Sequence, residues 1–564
     1  MSVAEPKAPI PTRARRLALV SCLAIGNLAG APAAWAGGST GQPAAVAAAP
    51  ARAASVTSAP LAPQADLTAL APGGRYALDL NALVQLSLVY NATVRASRQQ
   101  SDATAQLLEG ERALYEPSMV VRLRRESAER PRTFEERTEG LTNIGKESAV
   151  ENYATGLVGL RGKVPSGASY ELSNEVRRRQ SNLLQTLATR ENRGTLSLVI
   201  KQPLLRGAGR AMTEADLRIA ELERQIEQQR TTKQLLDTAA EAAGTYWQLY
   251  RAGQLQALRE LSLGSSRDLL ADTQRRVGGG MAPRVDVIDV GLAVRARQTD
   301  LTRADLQSRE MTTRVRSLLS LSVEEHGGVS FVAAEPPLAK GASAEGRART
   351  GVARGIGPAV APPWEQMRAS WPAYQIAALR FEQEKVRLGF ARNQTLPDLN
   401  LELGYNANSL NESTRASARR IWDGVNPGWY VQLTLDVALG NQRAQSRQQA
   451  QALKLQAARS QLEAETQLLG NEWLVRADQL DALWQEARAL DADVGDLHTL
   501  VQAERLSFER GRARARDVIV VQDRLDDARL RALDAQVKAE LAEVALQAVD
   551  GRLLAAFDVT LEAP

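Results

Sequence analysis

The chain has 564 residues, of which 44% are hydrophobic and only 4% are aromatic, and its formal net charge is +5. The small net charge is the difference between 70 basic and 65 acidic side chains, which indicates mixed, solvated faces and argues against a nucleic-acid partner. So low an aromatic content points away from an aromatic-centred globular core and towards helices rich in alanine and leucine.

Residues 1–36 have the composition of a signal peptide. Arg13, Arg15 and Arg16 precede a moderately apolar stretch, and residues 34–36 offer a small-x-small cleavage site. Cys22 lies in a sequence that resembles a lipoprotein attachment box, but about five apolar residues separate it from Arg16, fewer than the roughly 7–15 of a signal core. Simple cleavage is the first interpretation, and lipidation of Cys22 is the alternative. No later stretch of roughly 18 apolar residues occurs, so the exported chain is expected to be periplasmic, secreted or an outer-membrane β-barrel protein.

The rest of the chain predicts two similar halves. Residues 37–75, rich in alanine, proline, glycine and serine, are predicted to be disordered, and residues 322–363 are predicted to be a linker. The halves, 76–321 and 364–558, each open with a helical pattern that stops before a proline, Pro117 or Pro397.

After each proline the apolar period changes from 3.6 to 2, which predicts strands. The alternating runs are 119–123 and 196–200 in the first half, and 399–403 and 431–435 in the second. Alternation of this kind fits a half-buried soluble sheet and also a strand between lipid and a wet lumen. An insertion at 127–193 carries its own hairpin pattern. Its run Arg177-Arg178-Arg179 is interpreted as solvated loop, with contact to an anionic ligand or lipopolysaccharide as the alternative.

Long helices follow the strands in both halves. No proline occurs from Arg210 to Val277, and a helix of this span is about 100 Å long. In the second half a heptad seam from Leu469 to Val501 predicts coiled-coil packing. A Gly-x5-Asp-Val-Ile segment follows each long helix, beginning at Gly280 and again at Gly511.

These two segments predict tight turns between antiparallel helices. Glycine tolerates the positive φ that such a turn needs. Asp286 and Asp517 fall in the first turn of the returning helix, where a carboxylate is favoured by the positive helix end. Helix capping is therefore one role for both aspartates.

The order of these elements resembles the TolC-like outer-membrane efflux protein family. The resemblance is carried by the opening helix 78–95, the strand-to-helix junction 198–209 and the two Gly-x5-Asp-Val-Ile turns, and it covers nearly all of 76–558. It implies a mainly helical homotrimer in which each protomer gives four strands to a 12-stranded outer-membrane β-barrel. The helices would continue this barrel through the periplasm as an α-helical barrel.

The resemblance also implies roles for the turns, as a periplasmic tip that an adaptor (membrane fusion) protein and an inner-membrane transporter open. Asp517 matches a gate aspartate, and Asp286 matches a tip aspartate that pairs with a latch arginine. Three other gate positions differ from the family pattern, since they hold Val520, Ala513 and Phe508, and Arg512 or Arg514 could supply a substitute cation. The adaptor-contact tripeptides correspond to Gly279-Gly280-Met281 and Arg510-Gly511-Arg512.

No catalytic, metal or cofactor site is predicted. His326 and His498, the only histidines, have no partner at metal-ligand spacing. The expected function is an outer-membrane channel that exports substrates received from a transporter and adaptor, as efflux or type I secretion. The competing hypothesis is a periplasmic or secreted coiled-coil scaffold without channel activity. Neither hypothesis indicates whether a drug, a metal, a protein or a glycan is carried.

Overall fold

A computed structural model describes residues 59–61, 67, 71, 73–134, 148–182, 191–334, 364–421, 426–557 and 559. The predicted signal peptide and Cys22 lie outside these residues, as does most of the predicted linker. Within the described ranges the chain forms two repeats, in each of which short helices, antiparallel strands and a pair of long helices follow one another.

The first repeat opens with two helices separated by Asn91. The side chain of Asn91 caps the second helix, because it accepts hydrogen bonds from the backbone N–H groups of Thr93 and Val94. The elements are β1 (Ala59–Leu61), β2 (Arg75–Leu78), α1 (Leu80–Tyr90), α2 (Ala92–Arg112), β3 (Ser118–Pro131), β4 (Ser148–Lys163), β5 (Ser169–Ser181), β6 (Glu191–Pro203), α3 (Ala215–Gly278), α4 (Arg284–Leu318) and β7 (Ser330–Ala333).

The second repeat has the same order with fewer strands. Its elements are α5 (Trp364–Ser370), α6 (Pro372–Asn393), β8 (Asp398–Asn411), α7 (Thr414–Arg420), β9 (Pro427–Asp436), α8 (Gln442–Glu509) and α9 (Ala515–Val549). Pro372 occupies the start of α6, where its missing N–H would be unpaired in any residue. Pro117 and Pro397 lie directly before β3 and β8, as the sequence predicted.

Helices α3 and α8 dominate the repeats, with 64 and 68 residues. Each is therefore about 100 Å long. Leu469, Trp473 and Ala487 of the predicted heptad seam are buried in α8, which packs along α9. The predicted coiled-coil packing is confirmed. In the described part of the chain no helix is both long and apolar enough to cross a membrane.

The main core lies where α1 packs against α3. Leu83, Val84 and Leu86 of α1 are buried, and they share an apolar cluster with Tyr246 and Trp247. The two aromatic rings meet edge to face, with their centroids 5.1 Å apart. This cluster joins the opening helix of the first repeat to the middle of the long helix.

A small parallel sheet borders this core, with the order β1-β2-β7. Strand β1 comes from the segment that the sequence predicted to be disordered, and β7 from the predicted linker. Both segments therefore contribute ordered backbone at the points where they pair with β2.

The main sheet has six strands in the order β3-β4-β5-β6-β8-β9, and every neighbouring pair is antiparallel. The predicted hairpin of the 127–193 insertion is β4–β5, and it turns at Gly167, where φ is +90°. This sheet holds six strands where the resemblance implies four per chain: β4 pairs with β3 over all 14 residues of β3, and β5 pairs with β6 over 11 residues. The loop interpretation of Arg177–Arg179 is also wrong, since all three residues lie on β5.

Candidate functional site at the helical tip

The two Gly-x5-Asp-Val-Ile turns have the same backbone geometry. Gly280 and Gly511 both have φ of +72°, the left-handed conformation that glycine adopts without strain. The N–H of Met281 donates to the carbonyl of Arg276 over 2.8 Å, and the N–H of Arg512 donates to the carbonyl of Ser507 over 2.8 Å. The N–H of Gly280 also donates to the carbonyl of Val277, and that of Gly511 to the carbonyl of Phe508, so a Schellman motif ends each helix. The duplicated sequence therefore makes a duplicated turn.

The two aspartates that follow do not have the same role. Asp517 Oδ2 accepts a hydrogen bond from the backbone N–H of Arg514 over 3.0 Å, and so closes a capping box at the start of α9. The corresponding residue before α4 is Pro283, which has no N–H to donate to Asp286. Asp517 therefore caps α9, whereas Asp286 cannot form the same capping hydrogen bond at the start of α4.

Arg276 connects the two turns. Its guanidinium lies 4.3 Å from the centre of the Phe508 ring, and it donates to the carbonyl of Glu509 over 3.1 Å. The Phe508 ring is buried, in a small apolar cluster with Leu269, Val290, Ala515 and Val518. The ends of both helical hairpins are therefore held together by an apolar cluster, a cation–π contact and a hydrogen bond.

Polar contacts continue between the hairpins along the helices. Arg297 of α4, only 5% exposed, donates to Asp523 Oδ1 of α9 over 2.7 Å and also contacts Ser266 of α3. Further along, Ser262 donates to Asp526 and Arg251 pairs with Asp534, each over 2.5 Å. Burial raises the pKa of the Asp523 carboxyl; Arg297 opposes the rise, and the carboxylates of Asp526 and Asp527 add to it.

The predicted adaptor-contact residues lie at the surface of the turns. Met281 is 77% exposed, and Gly279, Gly280, Arg510, Gly511 and Arg512 are exposed as well. Of the predicted gate residues, Asp517 and Arg514 are exposed and adjacent, while Asp286 is half-buried. The sequence interpretation missed Arg276, Arg297 and Asp523. Local patterns contain no signal for these residues, because their partners are distant in the sequence.

At the sheet, one face is apolar although it is open to the surroundings. Residues directly paired across neighbouring strands lie on one face, so the pairing identifies this set. Its exposed apolar members are Met119, Val121, Leu123, Val158, Leu160, Leu172, Leu198, Ile200, Leu403, Tyr405, Trp429, Val431, Leu433 and Leu435.

The opposite face of the sheet is polar. It carries Arg122, Arg124, Thr155, Ser173, Glu175, Thr195, Asn406, Gln432 and Thr434. Arg177 and Arg179 lie on this face as well. Arg177 is 4.2 Å from the centre of the Tyr153 ring, and Arg179 pairs with Glu151. The arginine run therefore divides between the faces, with Arg178 on the apolar side.

Comparison with known proteins gives structural neighbours only. No protein-family model matches the chain, and no curated protein matches it. The solved structure of CusC, described as a transmembrane channel, is 12% identical, covers 86% of this chain and 96% of its own, and has a TM-score of 0.57.

Two other outer-membrane channels are similar to the same extent. OprN is 13% identical with a TM-score of 0.60, covering 84% of this chain and 89% of its own. MtrE of Neisseria gonorrhoeae in its open state is 13% identical with a TM-score of 0.58, covering 84% of this chain and 88% of its own. The predicted TolC-like architecture is confirmed at the level of the fold: this chain has the fold of outer-membrane channel proteins.

Proposed function

We propose that three copies of this chain form a channel in the outer membrane, through which substrates received from an inner-membrane transporter and its adaptor leave the cell. The sheet would be the membrane-spanning wall, and the long helices would extend from it into the periplasm. The observation that carries the proposal is the sheet with one exposed apolar face and one polar face at the end of two long helical hairpins.

The apolar face favours a membrane over water as its surroundings. Leu123 is 83% exposed and Trp429 is 77% exposed, and they belong to one continuous surface. A soluble protein rarely leaves an apolar surface of this extent uncovered. Strand lengths of 10 to 16 residues reach the roughly 9–11 that a tilted strand needs to cross a bilayer. A coiled-coil scaffold without channel activity would not explain why this apolar face is exposed.

The tip turns would serve as the contact surface for the adaptor and as the gate of the channel. Gly279-Gly280-Met281 and Arg510-Gly511-Arg512 are the surfaces we propose for the adaptor, because they are exposed and project from the ends of the hairpins. Asp517, with Asp286 and Arg514 nearby, would line the entrance as a ring of charges in the assembled trimer. In this arrangement Asp517 would cap α9 and face the entrance at the same time.

Two measurements test the channel. The protein is expected to fractionate with the outer membrane, and the purified protein is expected to conduct ions in planar bilayers. The Leu433→Asp variant is a matched control, because it places a charge on the apolar face and leaves the helices and the tip unchanged. Recovery of the unmodified protein in the soluble fraction, without conductance, would support the scaffold instead.

A further inference from the structure

We propose that the wall closed by three copies of this chain has 18 strands, rather than the 12 implied by the resemblance. The inference rests on the proposed trimeric channel and adds the size of its outer part. In the described part of the chain six strands form the main sheet, so three chains supply 18.

The hairpin β4–β5 belongs to the wall and does not fold into the lumen. Val121 pairs with Val158, which pairs with Asn174, which pairs with Leu196. Along the row next to it, Met119, Leu160, Leu172 and Leu198 are all exposed apolar side chains on the same face. This second row is apolar on all four strands, whereas Asn174 is a polar member of the first, so the apolar surface crosses the hairpin along the Met119–Leu198 row, as strands in contact with lipid require.

The position of the apolar surface also gives the tilt of the strands. It is centred on Val121 in β3 and between Val431 and Leu433 in β9. Following the pairing from Val121 across the sheet leads to Pro427, about five residues from that second centre. Five residues at about 3.3 Å, over five strand spacings of about 4.8 Å, correspond to a tilt of about 35°. Closed membrane barrels have tilts of about 35–45°.

The two edge strands fit a second copy of this chain. In the described part of the chain, β3 and β9 each have a strand on one side only. A sheet edge left open in lipid would leave several backbone groups unpaired at a cost of several kcal/mol each, so both edges must be covered. If the apolar surface continues at the same slope, Val121 of one copy comes opposite Leu433 of the next. Because β3 and β9 run in opposite directions, this contact is antiparallel like the others.

The number of strands sets the diameter of the barrel. At a spacing of about 4.8 Å and a tilt of about 35°, 18 strands give a backbone diameter of about 34 Å, against about 22 Å for 12 strands. A wall of this width would leave the helical tip as the narrowest part of the channel. The size of the cargo would then be decided at the tip, and the outer mouth would admit whatever the helical tube delivers.

Disulfide trapping tests the arrangement in the assembled protein. The Val121→Cys/Leu433→Cys variant is expected to give a product of three linked chains, and Asn174→Cys/Leu196→Cys is expected to link within one chain. Val121→Cys/Leu196→Cys is expected to give no link, since three strand spacings separate the two positions by about 14 Å. Each single variant is the control, and it also accounts for any product formed with Cys22.

The alternatives give different results. A link in Val121→Cys/Leu196→Cys would overturn the count of 18, because it would show β3 paired directly with β6 and the hairpin outside the wall. A native mass other than three chains would overturn the trimeric channel together with the count. Electron cryomicroscopy of the unmodified protein provides the measurement that does not depend on variants: a ring of 18 strands about 34 Å across is expected, and a ring about 22 Å across would refute the proposal.

Discussion

We predict that Arg297→Met increases the opening of the helical tip and that Asp523→Asn does not, although each substitution removes one charge of the same ion pair. Arg297 is buried between α3, α4 and α9, and it is the donor to both Ser266 and Asp523. Asp523 is partly exposed, and burial together with Asp526 and Asp527 raises the pKa of its carboxyl despite the nearby Arg297. Ionisation of Asp523 is therefore less favourable in the packed arrangement than in water, although the carboxylate accepts a hydrogen bond from Arg297.

The magnitude follows from the hydrogen bond that is lost. A hydrogen bond to a charged group contributes about 1.5–3 kcal/mol, and the exposure of Asp523 reduces this to about 1–2 kcal/mol. Loss of this contact in Arg297→Met should raise the opening equilibrium of the tip about 5- to 30-fold. Asp523→Asn keeps an oxygen that accepts from Arg297 and removes a charge that repels Asp526 and Asp527, so opening should stay the same or decrease.

The sign of the pH dependence follows from the same residue. With its pKa raised in the packed arrangement, Asp523 takes up a proton more readily there than when it is solvated. This stabilisation is complete below the ordinary pKa of an aspartate and is lost as the pH rises through the raised value. Acidification should therefore decrease opening, and Asp523→Asn should remove that component.

Single-channel recordings of the purified protein in planar bilayers, at about pH 7 and about pH 5, measure the open probability. Arg297→Lys is the matched control, because it keeps the positive charge but replaces the guanidinium, which donates to both Ser266 and Asp523, with a single ammonium. If Asp523→Asn opens as often as Arg297→Met, the pair acts as a simple latch and the reasoning from the pKa of Asp523 is wrong.

Three further predictions concern the turns. Gly280→Pro and Gly511→Pro should each abolish export while trimers remain in the outer membrane, since proline cannot adopt φ of +72°; unchanged export in both, measured in cells, would contradict the tip assignment. Phe508→Ala should destabilise the tip by about 3–5 kcal/mol, whereas Phe508→Tyr should have a smaller effect; limited proteolysis at the two turns measures the difference. Asp517→Ala should cost about 1 kcal/mol of helix stability and Asp286→Ala less, because only Asp517 receives the N–H of its N-cap residue; equal protease sensitivity in the two variants would refute this.

Local rules predicted the repeat and most of its elements. Pro117 and Pro397 marked the helix ends, the glycines marked the turns, and the alternating runs marked the strands, because each of these features depends on residues close in sequence. Which strands share one sheet depends on pairing between distant residues, such as Leu198 with Tyr405, and no local pattern contains that information. For this reason the local patterns predicted the β4–β5 hairpin but not that it lies in one sheet with β3 and β6.

The contacts between the two helical hairpins could not be predicted from local patterns either, because the contacting residues are far apart in the sequence. Arg276 reaches the ring of Phe508 across 232 positions of sequence, and Arg297 reaches Asp523 across 226. Neither arginine differs in its neighbourhood from the many solvated arginines on the same helices. Their roles depend on how α3 and α4 lie against α9 and the end of α8, which only the tertiary structure shows.

The two tip turns have the same backbone conformation but different side chains. The residues that fix the fold of each turn are therefore not the ones that would contact a partner. A Schellman motif needs only a glycine and a following N–H, so it places no demand on the side chain at Met281 or Arg512. An exposed methionine suits an apolar partner surface, whereas an exposed arginine suits an acidic or aromatic one. Since both side chains project from identical turns, an adaptor that contacts both must present two different surfaces to them. Exchanging the residues, as Met281→Arg with Arg512→Met, would leave the fold unchanged and should alter the choice of adaptor.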